Sequence, residues 1–261
     1  MYTIDDLLNV MARLRDPDGG CPWDLAQSLK SIVPHTLEEA YEVAETIERG
    51  DDMDALCNEL GDLLFQIVFY ARIAEEEGDF AFGDVVDAIC RKLIRRHPHV
   101  FADEQVTDVA DQTRQWEAHK QKEREQKSSQ GKPAGLLDDI CLGLPALSRA
   151  QKIQRRAAHV GFDWPDAEGV RAKLAEELAE LESAVAAGEQ AAIEAEVGDV
   201  LFTCVNLARH LNVDAEAALR GASRRFTTRF AHMEAVAALG ELDAGGLEAL
   251  WQAAKADTRE A

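Results

Sequence analysis

The chain has 261 residues, of which 46 % are hydrophobic, 30 % charged and 6 % aromatic, and its formal net charge is −21 at pH 7. That length suits one large domain or two of ordinary size, and the composition excludes an intrinsically disordered chain. So acidic a chain is a poor partner for a nucleic-acid backbone, and it would repel a nucleoside triphosphate unless cations or a local basic cluster intervened.

The abundance of Ala, Leu and Glu favours helix. The five cysteines, Cys21, Cys57, Cys90, Cys141 and Cys204, show no CxxC spacing. They support neither a disulfide framework nor a structural zinc site, and the expectation is buried free thiols in a reducing cytoplasm. No signal-peptide pattern follows Met1. The longest apolar stretch, Leu63 to Ile73, is too short for a bilayer and is interrupted by Gln66 and Arg72.

Thr3 with Asp6 forms a capping-box pattern that opens a helix running to Arg15. Asp16-Pro17-Asp18-Gly19-Gly20 breaks it, and Cys21-Pro22-Trp23-Asp24 follows in an irregular connection. Pro34 is expected to end any short helix before it. Thr36 with Glu39 then repeats the capping-box pattern and starts a helix that reaches Gly50. The next helix spans about Asp51 to Glu77. Its stripe Leu60, Leu63, Leu64, Ile67 and Val68, widened by Phe65 and Phe69, is expected to be core.

A third helix, Phe82 to Arg96, stops at His97-Pro98. A polar helix is expected over Thr113 to Gln126, and Ser128 to Gly135 reads as a linker. This gives an N-terminal domain over 1–127, a linker over 128–140 and a C-terminal domain over 141–261. In the second half, Leu144 to His159 reads as a helix with the basic patch Lys152, Arg155 and Arg156. Helices then follow over Pro165 to Ala187, Glu189 to His210 and Asp214 to Ala238, and a last one around Leu247 carries Trp251.

Two acidic arrangements stand out. Glu38-Glu39-Ala40-Tyr41-Glu42 is followed by Glu59-Leu60-Gly61-Asp62, and Glu176-Glu177-Leu178-Ala179-Glu180 by Glu196-Val197-Gly198-Asp199. Positions i, i+3 and i+4 share a helix face, so two antiparallel helices can aim four or five carboxylates at one spot. Like charges at this spacing cost a bare helix roughly 0.2–0.5 kcal/mol per pair. A hard divalent cation, Mg²⁺ or Mn²⁺, would compensate. The competing reading is a solvated acidic face, common on helices. Against it, each second half runs directly into an apolar stretch. The repeat also extends beyond the acids: Gly61 to Arg72 lines up with Gly198 to Arg209, with Gly, Asp, Leu, Phe, Val, Ala and Arg in register.

Carboxylates holding Mg²⁺ suit a polyanionic substrate, because the metal can screen phosphate charge while a spare carboxylate orients or deprotonates water. Lys92, Arg95 and Arg96 in the first half, and Arg225 and Arg229 beside Arg224 in the second, could meet a phosphate tail or could simply complement a helix C-terminus. Lys173 has the same two readings, phosphate contact or ordinary surface lysine. The sequence contains no GxxxxGK[ST], no HExxH and no histidine preceded by Glu three residues earlier, which sets aside a P-loop enzyme, a zincin and a carboxylate-bridged di-iron bundle.

The combination of EExxE and ExxD occurring twice, with Gly19-Gly20-Cys21-Pro22-Trp23-Asp24 upstream and Arg95-Arg96-His97-Pro98-His99-Val100-Phe101 downstream, resembles the MazG family of all-α nucleoside triphosphate pyrophosphohydrolases. The resemblance covers nearly the whole chain, including Gly161-Phe162-Asp163-Trp164. It implies an all-α fold of two tandem helical-bundle domains, a cytoplasmic homodimer, and Mg²⁺-dependent cleavage of nucleoside and deoxynucleoside triphosphates to the monophosphate and pyrophosphate. Base selectivity would be broad and the role house-cleaning of the nucleotide pool, with neither nucleic acid nor membrane as partner. The C-terminal repeat would be the catalytic one. Glu177, Glu180, Glu196 and Asp199 would bind the metal, with Glu176 as an accessory acid or water-orienting base. Lys173, Arg225 and Arg229 would contact phosphates. Trp251 would stack on the base, or else pack in the core.

The first repeat keeps Glu38, Glu39, Glu42, Glu59 and Asp62, of which Glu39, Glu42, Glu59 and Asp62 are the matching metal ligands. It departs from the second at Phe69, where Asn206 stands, and the second has Thr228 where the first has Arg95. The first site is therefore active, regulatory or structural. The alternative for the whole chain is a non-catalytic helical regulator or nucleotide-sensing scaffold that binds a protein partner. Hydrolysis of another phosphoanhydride would use the same machinery.

Overall fold

A computed structural model describes residues 1–102, 108, 112 and 135–257. The described residues form helices and no strand, as expected for an all-α chain. The expected polar helix over Thr113 to Gln126, and the linker up to residue 134, lie outside them. The chain divides into two compact units, Met1–Glu123 and Arg124–Ala261.

In the first unit the helices are α1 (Ile4–Leu14), α2 (Pro22–Leu25), α3 (Leu29–Arg49), α4 (Met53–Glu77), α5 (Phe82–Arg96) and α6 (Pro98–Phe101). Thr3 caps α1 as the sequence indicates: its hydroxyl accepts from the Asp6 amide and the Asp6 carboxylate accepts from the Thr3 amide. Helices α3 and α4 pack as a hairpin. Gly50 ends α3 in the left-handed region at φ 72°, a conformation that favours glycine, and the Asp52 carboxylate caps α4 by accepting from Ala55.

The start of α3 differs from the sequence expectation. The helix begins at Leu29, capped by Ser28 and Ser31, and runs straight through Pro34. Proline there removes the hydrogen bond that would reach back to the carbonyl of Lys30, one turn from the helix start on an exposed residue where water can replace it. Thr36 is not a cap. Its hydroxyl donates to the Ile32 carbonyl at 3.2 Å and shares a 2.8 Å hydrogen bond with the Tyr70 hydroxyl, tying α3 to α4.

The first unit's core is Met11, Ile32, Val68, Phe69 and Ile73, with Leu7, Leu8, Phe65, Tyr70 and Phe82 packed on it. The expected stripe on α4 is only partly core. Val68 and Phe69 are buried, but Leu60, Leu64 and Ile67 remain 49 %, 36 % and 40 % exposed. Helices α1, α3 and α5 pack on α4 and leave these three side chains partly open.

The second unit contains α7 (Ala146–Ala158), α8 (Ala167–Ala187), α9 (Gln190–His210), α10 (Ala215–Val236), a 3₁₀ turn at Leu239–Glu241 and α11 (Ala244–Asp257). Helices α8 and α9 form the matching hairpin. Asp166 caps α8 by accepting from Glu168 and Gly169, and Gly188 ends it at φ 72°. Buried amides lock α7 down: Gln154 donates to the Phe202 carbonyl at 2.8 Å and Gln151 to the Val213 carbonyl at 3.0 Å. In the basic patch, Arg156 is taken up by Asp139 and the Leu136 carbonyl. Val197 and Leu201 on α9 are exposed, as their counterparts Leu60 and Leu64 on α4 are; Phe202 is exposed too, whereas its counterpart Phe65 packs on the core.

All five cysteines are free, but the expectation that they are buried fails. Cys57, Cys90, Cys141 and Cys204 are exposed and Cys21 is half-buried. Cys57 and Cys204 lie on the outward sides of α4 and α9, where no described residue covers them. Among the described residues, no helix is long and apolar enough to cross a membrane.

Candidate metal and nucleotide site

Each hairpin brings its acids together. Helix α3 carries Glu38, Glu39 and Glu42, and α4 carries Glu59 and Asp62. Helix α8 carries Glu176, Glu177 and Glu180, and α9 carries Glu196 and Asp199. In the first repeat, ligand oxygens of Glu39, Glu42 and Glu59 lie within 4.8 Å of one another; in the second, those of Glu177, Glu196 and Asp199 do. The fourth acid of each set stays within electrostatic reach. Glu39 is pushed above the ordinary carboxylate range by burial, then by the charges of Asp62, Glu42 and Glu38. Glu180 is also raised: partial desolvation and the charges of Glu177, Glu196 and Glu176 outweigh the opposing pull of Lys173.

The two repeats differ in their counterions. Lys173 Nζ lies 2.7 Å from Glu176 and 2.9 Å from Glu177. These two carboxylates hold its ammonium well above the usual lysine range. Glu177 is buried, 5 % exposed, so this pairing offsets a charge that would otherwise be costly. In the first repeat the same position is His35. Its Nδ1 is 3.7 Å from Glu38, and its ring meets Trp23 edge-on at 5.8 Å between centroids.

The donor set fits a hard divalent cation. The ligand atoms are carboxylate oxygens, and the Glu196 carboxylate has one oxygen, Oε2, that is buried with no hydrogen-bond partner. An anionic oxygen left so is costly unless a cation meets it.

The basic and aromatic candidates of the second repeat gather on α10 and α11. Arg229 lies over the Trp251 ring, 5.8 Å from its centroid. Trp251 packs on Phe226 at 5.1 Å, and Phe226 stacks on Phe230 at 5.9 Å. Arg225, on the same helix, is exposed. In the first repeat, Lys92, Arg95 and Arg96 occupy the C-terminal half of α5, Arg95 and Arg96 in its last turn.

Asn206 is buried, and its side-chain oxygen accepts from Arg209 at 2.9 and 2.7 Å. Phe69, its counterpart, sits in the core against Trp23 and Phe65. Sequence reasoning missed the unit to which Asn206 belongs. Asp163 binds both Arg209 and His210, fixing the loop before α8 to the end of α9. The Gly161-Phe162-Asp163-Trp164 motif was the available signal, but it does not reveal its partner on α9.

A family model for the MazG nucleotide pyrophosphohydrolase domain matches residues 27–101 and 166–233, one stretch in each unit and each spanning one hairpin with its acids. The chain belongs to the MazG family. A nucleoside triphosphate pyrophosphohydrolase of Escherichia coli (strain K12) is 49 % identical over 98 % of both chains. A Thermotoga maritima nucleoside triphosphate pyrophosphohydrolase/pyrophosphatase MazG is 44 % identical, over 96 % of this chain and 95 % of its own. A solved mazG-related protein from Thermotoga maritima aligns with 45 % of this chain and 98 % of its own, at 24 % identity and a TM-score of 0.38.

Proposed function

We propose that this MazG chain hydrolyses nucleoside and deoxynucleoside triphosphates to the monophosphate and pyrophosphate, with Mg²⁺ as cofactor and Mn²⁺ able to replace it. The observation that carries the reading is the C-terminal cluster: Glu177, Glu196 and Asp199 converge within 4.8 Å around an unpartnered, buried Glu196 oxygen, inside a stretch that matches the family. Full-length similarity to two proteins named as pyrophosphohydrolases supports it.

In this reading Glu177, Glu180, Glu196 and Asp199 hold the cation on the facing sides of α8 and α9. A cation held there would supply Lewis-acid screening of the phosphate charge that develops in the displacement. Glu176, exposed at the rim, orients or deprotonates the attacking water. Lys173, Arg225 and Arg229 contact the phosphates. Trp251 offers a π-face to the base, which suits broad selectivity and nucleotide-pool house-cleaning. Glu39, Glu42, Glu59 and Asp62 form the corresponding metal site of the first repeat.

The domains run over 1–127 and 141–261 with a linker at 128–140. The protein acts in the cytoplasm as a homodimer, its partner covering the apolar faces that α4 and α9 leave open.

The test is to incubate the protein with a panel of NTPs and dNTPs, with Mg²⁺ and with EDTA, and to assay pyrophosphate against orthophosphate. Metal-dependent pyrophosphate is the expected product; orthophosphate would overturn α–β cleavage.

A further inference from the structure

The acids of the two repeats correspond position for position in sequence, although the oxygens that converge are those of Glu39, Glu42 and Glu59 in one and of Glu177, Glu196 and Asp199 in the other; at the register of Lys173 the first repeat carries His35. Lys173 stands three residues before Glu176 and four before Glu177, so its ammonium lies on the same helix face as both and reaches both, at 2.7 and 2.9 Å. Glu177 is also one of the three acids whose ligand oxygens converge. It is buried, and among the described residues Lys173 is the cation paired with it. Any ion entering between Glu177, Glu196 and Asp199 must therefore share the Glu177 carboxylate with a tethered positive charge.

In the first repeat His35 holds the same register. An imidazole carries no fixed charge, and this one lies 3.7 Å from Glu38 with its ring against Trp23. The cluster of Glu39, Glu42 and Glu59 has no tethered ammonium at that register.

We propose that Lys173 is a built-in counterion that competes with the divalent cation for Glu177, so that metal entry and release of Lys173 toward the triphosphate are one coupled event. The first repeat, with His35, takes up its cation without that competition. Lys173 then has two roles of opposite sign: it opposes the metal and assists the nucleotide. Both rest on the metal role proposed above for the acid clusters.

The experiment is Mn²⁺ titration of full-length, EDTA-stripped protein, with free Mn²⁺ read by electron paramagnetic resonance and folding checked by circular dichroism. Glu59→Gln isolates the C-terminal cluster and Glu196→Gln isolates the N-terminal one. In the Glu59→Gln background, Lys173→Met is expected to tighten Mn²⁺ binding roughly tenfold or more, the least that removing a unit charge about 4 Å from a divalent ion gives even at the dielectric of water. The same change should weaken binding of a non-hydrolysable triphosphate, and Lys173→Arg should stay near the parent in Mn²⁺ affinity. In the Glu196→Gln background, His35→Lys should weaken Mn²⁺ binding.

Unchanged or weaker Mn²⁺ binding in Lys173→Met would overturn the proposal and leave the metal reading intact. If that variant does not fold, His35→Lys decides, and unchanged Mn²⁺ affinity there overturns it equally. Absence of Mn²⁺ uptake by the wild type would be a different failure, ending the metal reading and this inference together.

Discussion

Arg15, at the C-terminal cap of α1, and Glu76 on α4 meet fork to fork, with Nε 3.1 Å and Nη2 2.6 Å from the carboxylate oxygens. The same guanidinium donates to the Asp24 carbonyl and lies over the Phe69 ring, so one buried side chain ties α1, α2 and α4 together. Arg72 is a second cation on Glu76, at 2.8 Å. The Arg15 hydrogen bonds, more than the charge of either arginine, hold the Glu76 carboxyl below its ordinary range against the opposing effect of burial. Arg15→Met should destabilise the first unit by about 2 kcal/mol, the scale of charged hydrogen bonds. Because the folded pKa is depressed, the contribution is fully present above the ordinary glutamate range and is lost as pH falls below it. Urea melts across that range should show the loss in the wild type and a smaller one in Glu76→Gln.

Glu180→Gln should remove most hydrolytic activity, roughly ten- to a hundredfold, the scale seen when groups around a metal are removed. Glu42→Gln should leave most of it. Steady-state kinetics on one good substrate decides, and equal losses would move the catalytic assignment away from the C-terminal repeat.

Crowded carboxylates that repel one another should be relieved by the cation. Adding Mg²⁺ should raise the melting temperature, by linkage worth about 2.7 kcal/mol at a hundredfold excess over Kd. EDTA should reverse it, and Glu59→Gln combined with Glu196→Gln should abolish the response. Differential scanning calorimetry reads all three.

A Cβ at Gly169 would stand 2.5 Å from Cδ1 of Trp164, which lies across the first turn of α8. Gly169→Ala must push the indole aside, at a cost of about 1–3 kcal/mol for overpacking. Tryptophan fluorescence should shift and thermal stability fall. An unchanged emission spectrum would show that Trp164 does not rest there.

The exposed apolar residues of α4 and α9 predict association. Light scattering should give twice 28.7 kDa for the wild type. Leu64→Asp with Leu201→Asp should move the mass toward 28.7 kDa, since a charge buried without a partner is costly.

Much of this was legible in the sequence because it is local. Thr3 with Asp6, Gly50, Gly78 and Gly188 mark helix ends through bonds or φ angles that their own residue types favour. The acids announce themselves by i, i+3 spacing. Thr36 misled because Thr-x-x-Glu looks the same inside a helix as at its start; Tyr70, distant in sequence, claims that hydroxyl. Leu60, Leu64 and Ile67 misled for another reason. Periodicity shows that a helix has an apolar side, but not whether the same chain supplies what covers it. Lys173 could be named as a candidate, but its hold on buried Glu177 needs side-chain positions, as does the joining of Asp163 to Arg209 and His210.

The tight glycine reversals at Gly50 and Gly188 have a consequence for how such a centre can arise. Every acid of one cluster lies on two successive helices joined by a few residues, so loop closure costs little and no remote segment has to arrive first. A single short stretch of gene therefore carries a whole acid cluster. Doubling it yields two such clusters at once, each free to drift at a neighbour such as His35 or Lys173 without dismantling the other.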